Sequence, residues 1–167
     1  MTMIDPAIVP QRTLYTGAKM PVVGMGTFGS DHADADAVSA SVAGALRVGY
    51  RSFDCAACYG NEDMIGKIFA DAFAEGIVKR EELFIASKVW NDMHGDGDVL
   101  IACAKTLKDL KLDYLDMYYV HWPFPNYHAP HCDVDSRNPD SKPFTVERFM
   151  KTWRQMERLG DMGLTKH

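Results

Sequence analysis

The sequence predicts an α/β fold with a parallel sheet, and within that class a (β/α)8 TIM barrel. The chain covers about the first four β/α units, preceded by an N-terminal β-hairpin. Three observations predict this. Short β-like segments alternate with amphipathic helical stretches along the chain. No G-x-G-x-x-G turn opens a helix, which weighs against a doubly wound open sheet. Asp54, Tyr59, Lys88 and His121 each lie just past a β-like segment, where barrel strands converge on one face.

Taken in order, Arg12–Tyr15 and Met20–Val23 flank a turn containing Gly17 and read as the hairpin. Gly24–Phe28 continues as strand and then loop. Asp31, Asp34 and Asp36 favour a helix start. Val38, Val42, Ala45 and Leu46 then fall on one helical face, and Gly49 is a stop. The pattern repeats with a strand at 51–53 and a helix from about Asn61, with Ile65, Ile68, Phe69 and Phe73 aligned. A strand at 83–87 leads to a helix carrying Leu100, Cys103, Leu107 and Leu110. A strand at 114–120 leads through a long loop to a helix carrying Phe149, Trp153, Met156 and Leu159, with Gly160 and Gly163 at its end.

Gly163–His167 reads as the approach to a further strand. Four units make half of an eight-fold barrel, so residues 1–167 are expected to form a single domain that is part of a longer barrel. A half-barrel by itself would leave strand edges unpaired and apolar sheet uncovered.

Length and composition bound the function. A chain of 167 residues can bury one real core. Hydrophobic content of 47% with 25% charged residues describes a soluble globular protein, and a net charge of −5 argues against nucleic acid or an anionic membrane as partner. No apolar run is long enough to span a bilayer. Met1–Pro6 lacks the basic and apolar regions of a signal peptide. The expected home is cytoplasmic.

An acid, a phenol, an ammonium and an imidazole at successive strand ends suggest proton-transfer chemistry. A tyrosine, with a reference pKa of about 10, is a poor acid at neutral pH. A nearby ammonium stabilises the phenolate and makes the proton easier to give. A carboxylate beside the lysine holds it in place. A neutral imidazole can donate a hydrogen bond to a carbonyl oxygen and orient it. Singly, each residue also has a plain structural reading: a solvated lysine, a turn histidine, a packing tyrosine, an aspartate turn former. Their joint placement favours the chemical one.

The surrounding segments resemble the aldo-keto reductase family. The resemblance rests on Met20–Phe28, Gly49–Asp54, Tyr59–Glu62, Ala86–Trp90, Leu112–Asp116, Val120–Pro123, Trp153–Glu157 and Gly163–Leu164, in family order. It implies an NAD(P)H-dependent reductase of aldehydes, aldoses or ketones on a (β/α)8 barrel, with a small-molecule carbonyl as substrate. The hydride comes from the cofactor, since no side chain donates one. Tyr59 matches the family's proton donor, Lys88 and Asp54 the pair behind it, and His121 the histidine that contacts the carbonyl. Gly26, Thr27, Phe28 and Asp54 match cofactor contacts. Phe28, Trp90, His121 and Trp122 match substrate-pocket positions. The family often has tryptophan where Phe28 stands, which alters one aromatic wall. The family's usual preference implies NADP, with NAD possible, and a full-length protein that is a monomer or weak oligomer.

Two further clusters carry weaker signals. Cys55-Ala56-Ala57-Cys58 has redox-motif spacing but lies inside the reductase motif, so two unpaired thiols are expected. The loop from Phe124 to Phe144 holds His128, His131, Cys132, Asp133 and Asp135 with four prolines. It lacks a second ligand pair with structural-zinc spacing and reads as a substrate-side loop, so no metal is expected. Two other functions compete with the reductase: a cofactor-sensing or regulatory protein on the same scaffold, and a thiol or metal protein.

Overall fold

A computed structural model describes residues 4–29, 32–123 and 142–167. The cluster from His128 to Asp135 lies outside the described residues, as does Asp31.

The hairpin comprises β1 (Gln11–Thr13) and β2 (Lys19–Pro21), antiparallel with Arg12 opposite Met20. It sits one to two residues earlier than the hydrophobic runs imply. The turn fixes this register: Leu14 N–H donates to Ala18 at 2.8 Å, and Gly17 takes a left-handed φ of +89°. Val22 and Val23 are left exposed past its end.

Four parallel strands follow in chain order: β3 (Met25–Gly26), β4 (Ser52–Asp54), β5 (Phe84–Val89) and β6 (Met117–Val120). A helix connects each pair: α1 (Ala35–Val48), α2 (Glu62–Ala74) and α3 (Asp98–Leu110), with α4 (Val146–Asp161) after β6. This is the β/α repeat of a TIM barrel. A fourth parallel pairing, to the start of a fifth strand, begins beyond β6. Leu115 bridges Thr165, and Tyr118 N–H donates to the His167 carbonyl at 3.0 Å.

Local chemistry sets the helix ends. Asp34 caps α1, accepting from Ala37 N–H at 2.8 Å. Gly49 ends it at φ +120°, and a Cβ there would lie 2.5 Å from the Ile4 carbonyl oxygen. Gly66 allows α2 to close on α3, because a Cβ would stand 2.1 Å from the Asp109 carbonyl oxygen.

One apolar cluster joins the sheet to the helices, running from Val38 and Leu46 through Phe53, Phe69 and Ile85 to Leu110, Met156 and Leu159. Two helix faces differ from expectation. On α3 the buried positions are Val99, Ala102, Cys103, Thr106, Leu107 and Leu110, while Leu100 is exposed. A stripe at i, i+3, i+4, i+7 that starts at Val99 turns its neighbour about 100° away. On α4 Thr152, Met156 and Leu159 face inward. Trp153 is exposed, stacks on Phe149 at 6.1 Å, and donates its indole N–H to Glu157.

The N-terminal ends of the strands are locked by a polar cluster. Buried Asp116 pairs with Arg80 at 2.8 Å and Lys166 at 3.7 Å, and accepts from Ile85 N–H. Both cations lie over the Tyr114 ring, at 3.9 and 3.8 Å from its centroid. A cavity of about 810 Å³ lies at this same end, lined by Gln11, Pro21, Arg51, Phe84 and Asp116. It is remote from the residues that carry the chemistry, which stand at the opposite ends of the strands.

Candidate active site

The period of two along each strand separates the chemistry from the core. In β4, Phe53 is wholly buried and meets Phe69 of α2 edge-on at 5.4 Å, so Asp54 is turned to the other face. In β5, Ile85 and Val89 lie in the core and Ser87 donates to Glu62 of α2 at 2.6 Å, so Lys88 faces away from the helices. In β6, Tyr118 is buried, which leaves Tyr119 on the opposite face, and His121 follows at the same spacing. The register sets Lys88 beside Tyr119. Tyr59 arrives differently, on a 3-10 turn (Ala57–Tyr59) between β4 and α2, ended by Gly60 at φ +66°.

Lys88 is the hub. Its Nζ lies 2.8 Å from Asp54 Oδ1 and donates to the Cys55 carbonyl at 2.7 Å and the Tyr59 hydroxyl at 3.4 Å. The Tyr59 ring meets His121 edge-on at 5.8 Å and Phe28 at 5.0 Å. Trp90 packs edge-on against His121 at 4.9 Å, and Trp122 lies 5.7 Å from Trp90. All four residues of the expected tetrad, and the three aromatic pocket residues, therefore stand together.

Burial and charge set the protonation states. Burial pushes the Tyr59 phenol above its usual range, and the Lys88 ammonium pulls against that shift. Burial works against the Lys88 ammonium, but its bond to Asp54 and the nearby phenol raise it overall. Burial, then Lys88, lowers His121 to about 4, so the imidazole is neutral near pH 7.

The expected cofactor contacts divide. A Cβ on Gly26 would meet nothing within 4 Å, so open space lies over the end of β3. Phe28 is 58% exposed at its edge. Thr27 is wholly buried and spends its bonds inward: both its N–H and its hydroxyl donate to the Asp54 carbonyl, at 3.1 and 3.2 Å. The open space at Gly26 beside Asp54 and Phe28 fits the nicotinamide end of the dinucleotide that the family resemblance implies.

Cys55 is wholly buried and Cys58 half-buried, and both are free thiols. Among the described residues no three His, Cys, Asp or Glu side chains group as a metal would require.

The sequence assigns no supporting role at the site to four residues that the structure places there. Tyr119 shares a strand face with His121, a signal readable from spacing. Cys58 has its Sγ 3.5 Å from His121 Nδ1. Asn61 donates its side-chain amide to the Thr27 carbonyl at 2.9 Å instead of capping α2, and so ties the Tyr59 turn to β3. Glu62 is buried and accepts from Ser87 and from Thr106 of α3 at 3.0 Å, bracing the strand that carries Lys88.

Glu62 gives a pH test. Burial raises its carboxyl, so the folded protein favours the neutral form more than the unfolded chain does. Its contribution to stability is fully present below the unfolded value of about 4.3. It is lost as pH rises through the raised folded value. Glu62→Gln is neutral throughout. In thermal melts over an acid-to-neutral pH series, the Gln variant is expected to gain on the wild type as pH rises. A constant difference at every pH would refute this.

The sequence profile described as the Aldo/keto reductase family matches residues 22–167. An aldo/keto reductase of Synechocystis is 44% identical over 154 residues, spanning 92% of this chain and 46% of that protein. The aldo-keto reductase family 1 member A1 of Xenopus tropicalis is 42% identical over 160 residues, spanning 95% and 47%. The crystal structure of a Bombyx mori aldo-keto reductase in complex with NADP superposes with a TM-score of 0.80 at 35% identity, over 95% of this chain and 48% of that one. The chain thus spans about half the length of the curated relatives it matches.

Proposed function

The chain belongs to the aldo-keto reductase family, and from that premise we propose that it forms part of an NADP(H)-dependent oxidoreductase that reduces a small aldehyde, aldose or ketone to the alcohol. One observation carries the reading: a single ammonium, Lys88, joins the Asp54 carboxylate to the Tyr59 hydroxyl, beside a neutral imidazole.

A bound NADP(H) would supply the hydride, with NAD as the alternative cofactor. Asp54 and the open backbone at Gly26 would hold the nicotinamide end, with Phe28 walling it and the inward-bonded Thr27 supporting the turn from beneath. Tyr59 gives its proton to the carbonyl oxygen as charge develops there. Lys88 offsets the cost of the resulting phenolate in a half-buried site. Asp54 fixes the ammonium on its far side. His121 donates a second hydrogen bond to the same oxygen and sets the angle of the carbonyl. Trp90, Trp122 and Phe28 supply apolar walls that exclude water.

We further take the protein to be cytoplasmic, without nucleic-acid or membrane partners, and monomeric or weakly oligomeric. Among the described residues no helix is long and apolar enough to cross a membrane. The test is aldehyde-dependent oxidation of NADPH by the intact protein. Tight NADPH binding without turnover on any small aldehyde or ketone would favour the regulatory alternative.

A further inference from the structure

We propose that Cys58 is a positioning residue for this chemistry: its thiol donates to Nδ1 of His121 and holds the imidazole in the tautomer that carries its proton on Nε2. The inference rests on the reductase reading for its consequence, but its geometry stands apart from it.

The Cys58 Sγ lies 3.5 Å from His121 Nδ1, within reach of a bond from sulfur. Backbone geometry holds both partners there. Cys58 is the central residue of the 3-10 turn that presents Tyr59. His121 is anchored by its N–H to the Val89 carbonyl at 3.1 Å, and its ring is wedged between Trp90 and Tyr59. Nε2 makes no hydrogen bond among the described residues.

A neutral imidazole has one N–H, and the partner of one nitrogen decides what the other offers. Burial pushes the Cys58 thiol up to about 12, and His121 is lowered to about 4. Near pH 7 the pair therefore holds one S–H and one ring N–H. Two arrangements satisfy that count. With the thiol donating to Nδ1, the ring proton sits on Nε2, a donor for a carbonyl oxygen. With Nδ1 donating to sulfur, Nε2 presents a lone pair, which repels that oxygen. Only the first makes His121 a partner to the Tyr59 hydroxyl. An aliphatic side chain at position 58 would leave Nδ1 without this donor and remove the bias between tautomers.

The experiment compares wild type, Cys58→Ser and Cys58→Val in the intact enzyme. Ring-nitrogen chemical shifts of His121 in ¹⁵N-histidine-labelled protein report the tautomer in the resting state, and steady-state kinetics report its consequence. Wild type and Cys58→Ser are expected to carry the proton on Nε2. Cys58→Val is expected to shift toward the Nδ1–H form and to lose about two- to tenfold in kcat, as for loss of one neutral hydrogen bond. Cys58→Ser restores turnover because a hydroxyl also donates. A wild type protonated on Nδ1 would overturn the proposal. So would a fall in kcat for Cys58→Val with the tautomer unchanged, which is what a packing role gives. A shifted tautomer with unaltered kcat would refute the positioning role. Absence of carbonyl reduction in the wild type would sink the reductase reading instead, and the nitrogen shifts would still decide the hydrogen bond.

Discussion

Tyr59→Phe is expected to lower the turnover of carbonyl reduction by about 10²–10⁴-fold, the usual worth of a positioned general acid, with NADPH affinity close to the wild-type value. The substitution keeps the ring that packs at 5.0 Å on Phe28 and 5.8 Å on His121. It deletes only the hydroxyl at 3.4 Å from Lys88 Nζ. Neither contact lies in the apolar core, so the melting temperature should barely move. Single-turnover oxidation of enzyme-bound NADPH by a saturating aldehyde separates the chemical step from binding. Turnover within a few-fold of wild type would mean that the proton comes from another group, and the tetrad would have to be reassigned.

Lys88→Met should be nearly as damaging, at about 10²–10³-fold in kcat, the range seen when one electrostatic stabiliser is removed from a developing charge. Three partners lose their donor at once: the Asp54 carboxylate, the Cys55 carbonyl and the Tyr59 hydroxyl. With the ammonium gone, nothing offsets the burial that already raises the phenol. The Asp54 carboxylate, now unpaired, disfavours the phenolate further. Lys88→Arg keeps the charge but replaces a compact ammonium with a planar fork, and should recover only part of the loss. Turnover in Lys88→Met and turnover in Lys88→Arg both near wild type would show that the ammonium has no share in the proton transfer. A circular-dichroism melt of each variant guards against unfolding as the cause.

Much of the architecture was legible because it depends on local pattern. Asp34 caps α1, and Gly49 ends it, as helix-end chemistry requires. The alternation of strands with amphipathic helices sufficed for four parallel strands in chain order. Asp54, Lys88 and His121 could be placed together because each lies at a strand's C-terminal end, and parallel strands bring those ends to one face. Even the approach to another strand at Gly163–His167 is seen, as the bridge from Leu115 to Thr165.

Phase and partnership were not legible. Helical spacing fixes a stripe but not which of two adjacent apolar residues begins it, so Leu100 and Trp153 align in sequence with buried residues yet stand outside the core. Trp153 resolves its polarity locally, through Glu157 one turn on. Glu62 reads in sequence as an ordinary first-turn acid. Only the packing of α2 against β5 and α3 makes it a buried carboxyl with Ser87 and Thr106 as partners.

By itself, then, the sequence determined the class of fold, the order of its units and the residues able to move a proton, because these follow from periodicity, end chemistry and side-chain type. Tertiary structure alone decided that Lys88 reaches Asp54 and Tyr59 together, that Thr27 turns inward and that Cys58 meets His121. Those partners lie tens of residues apart along the chain. Hydrogen bonds and burial are set by distances of a few ångströms, which exist only once the strands have paired and the helices have closed over them.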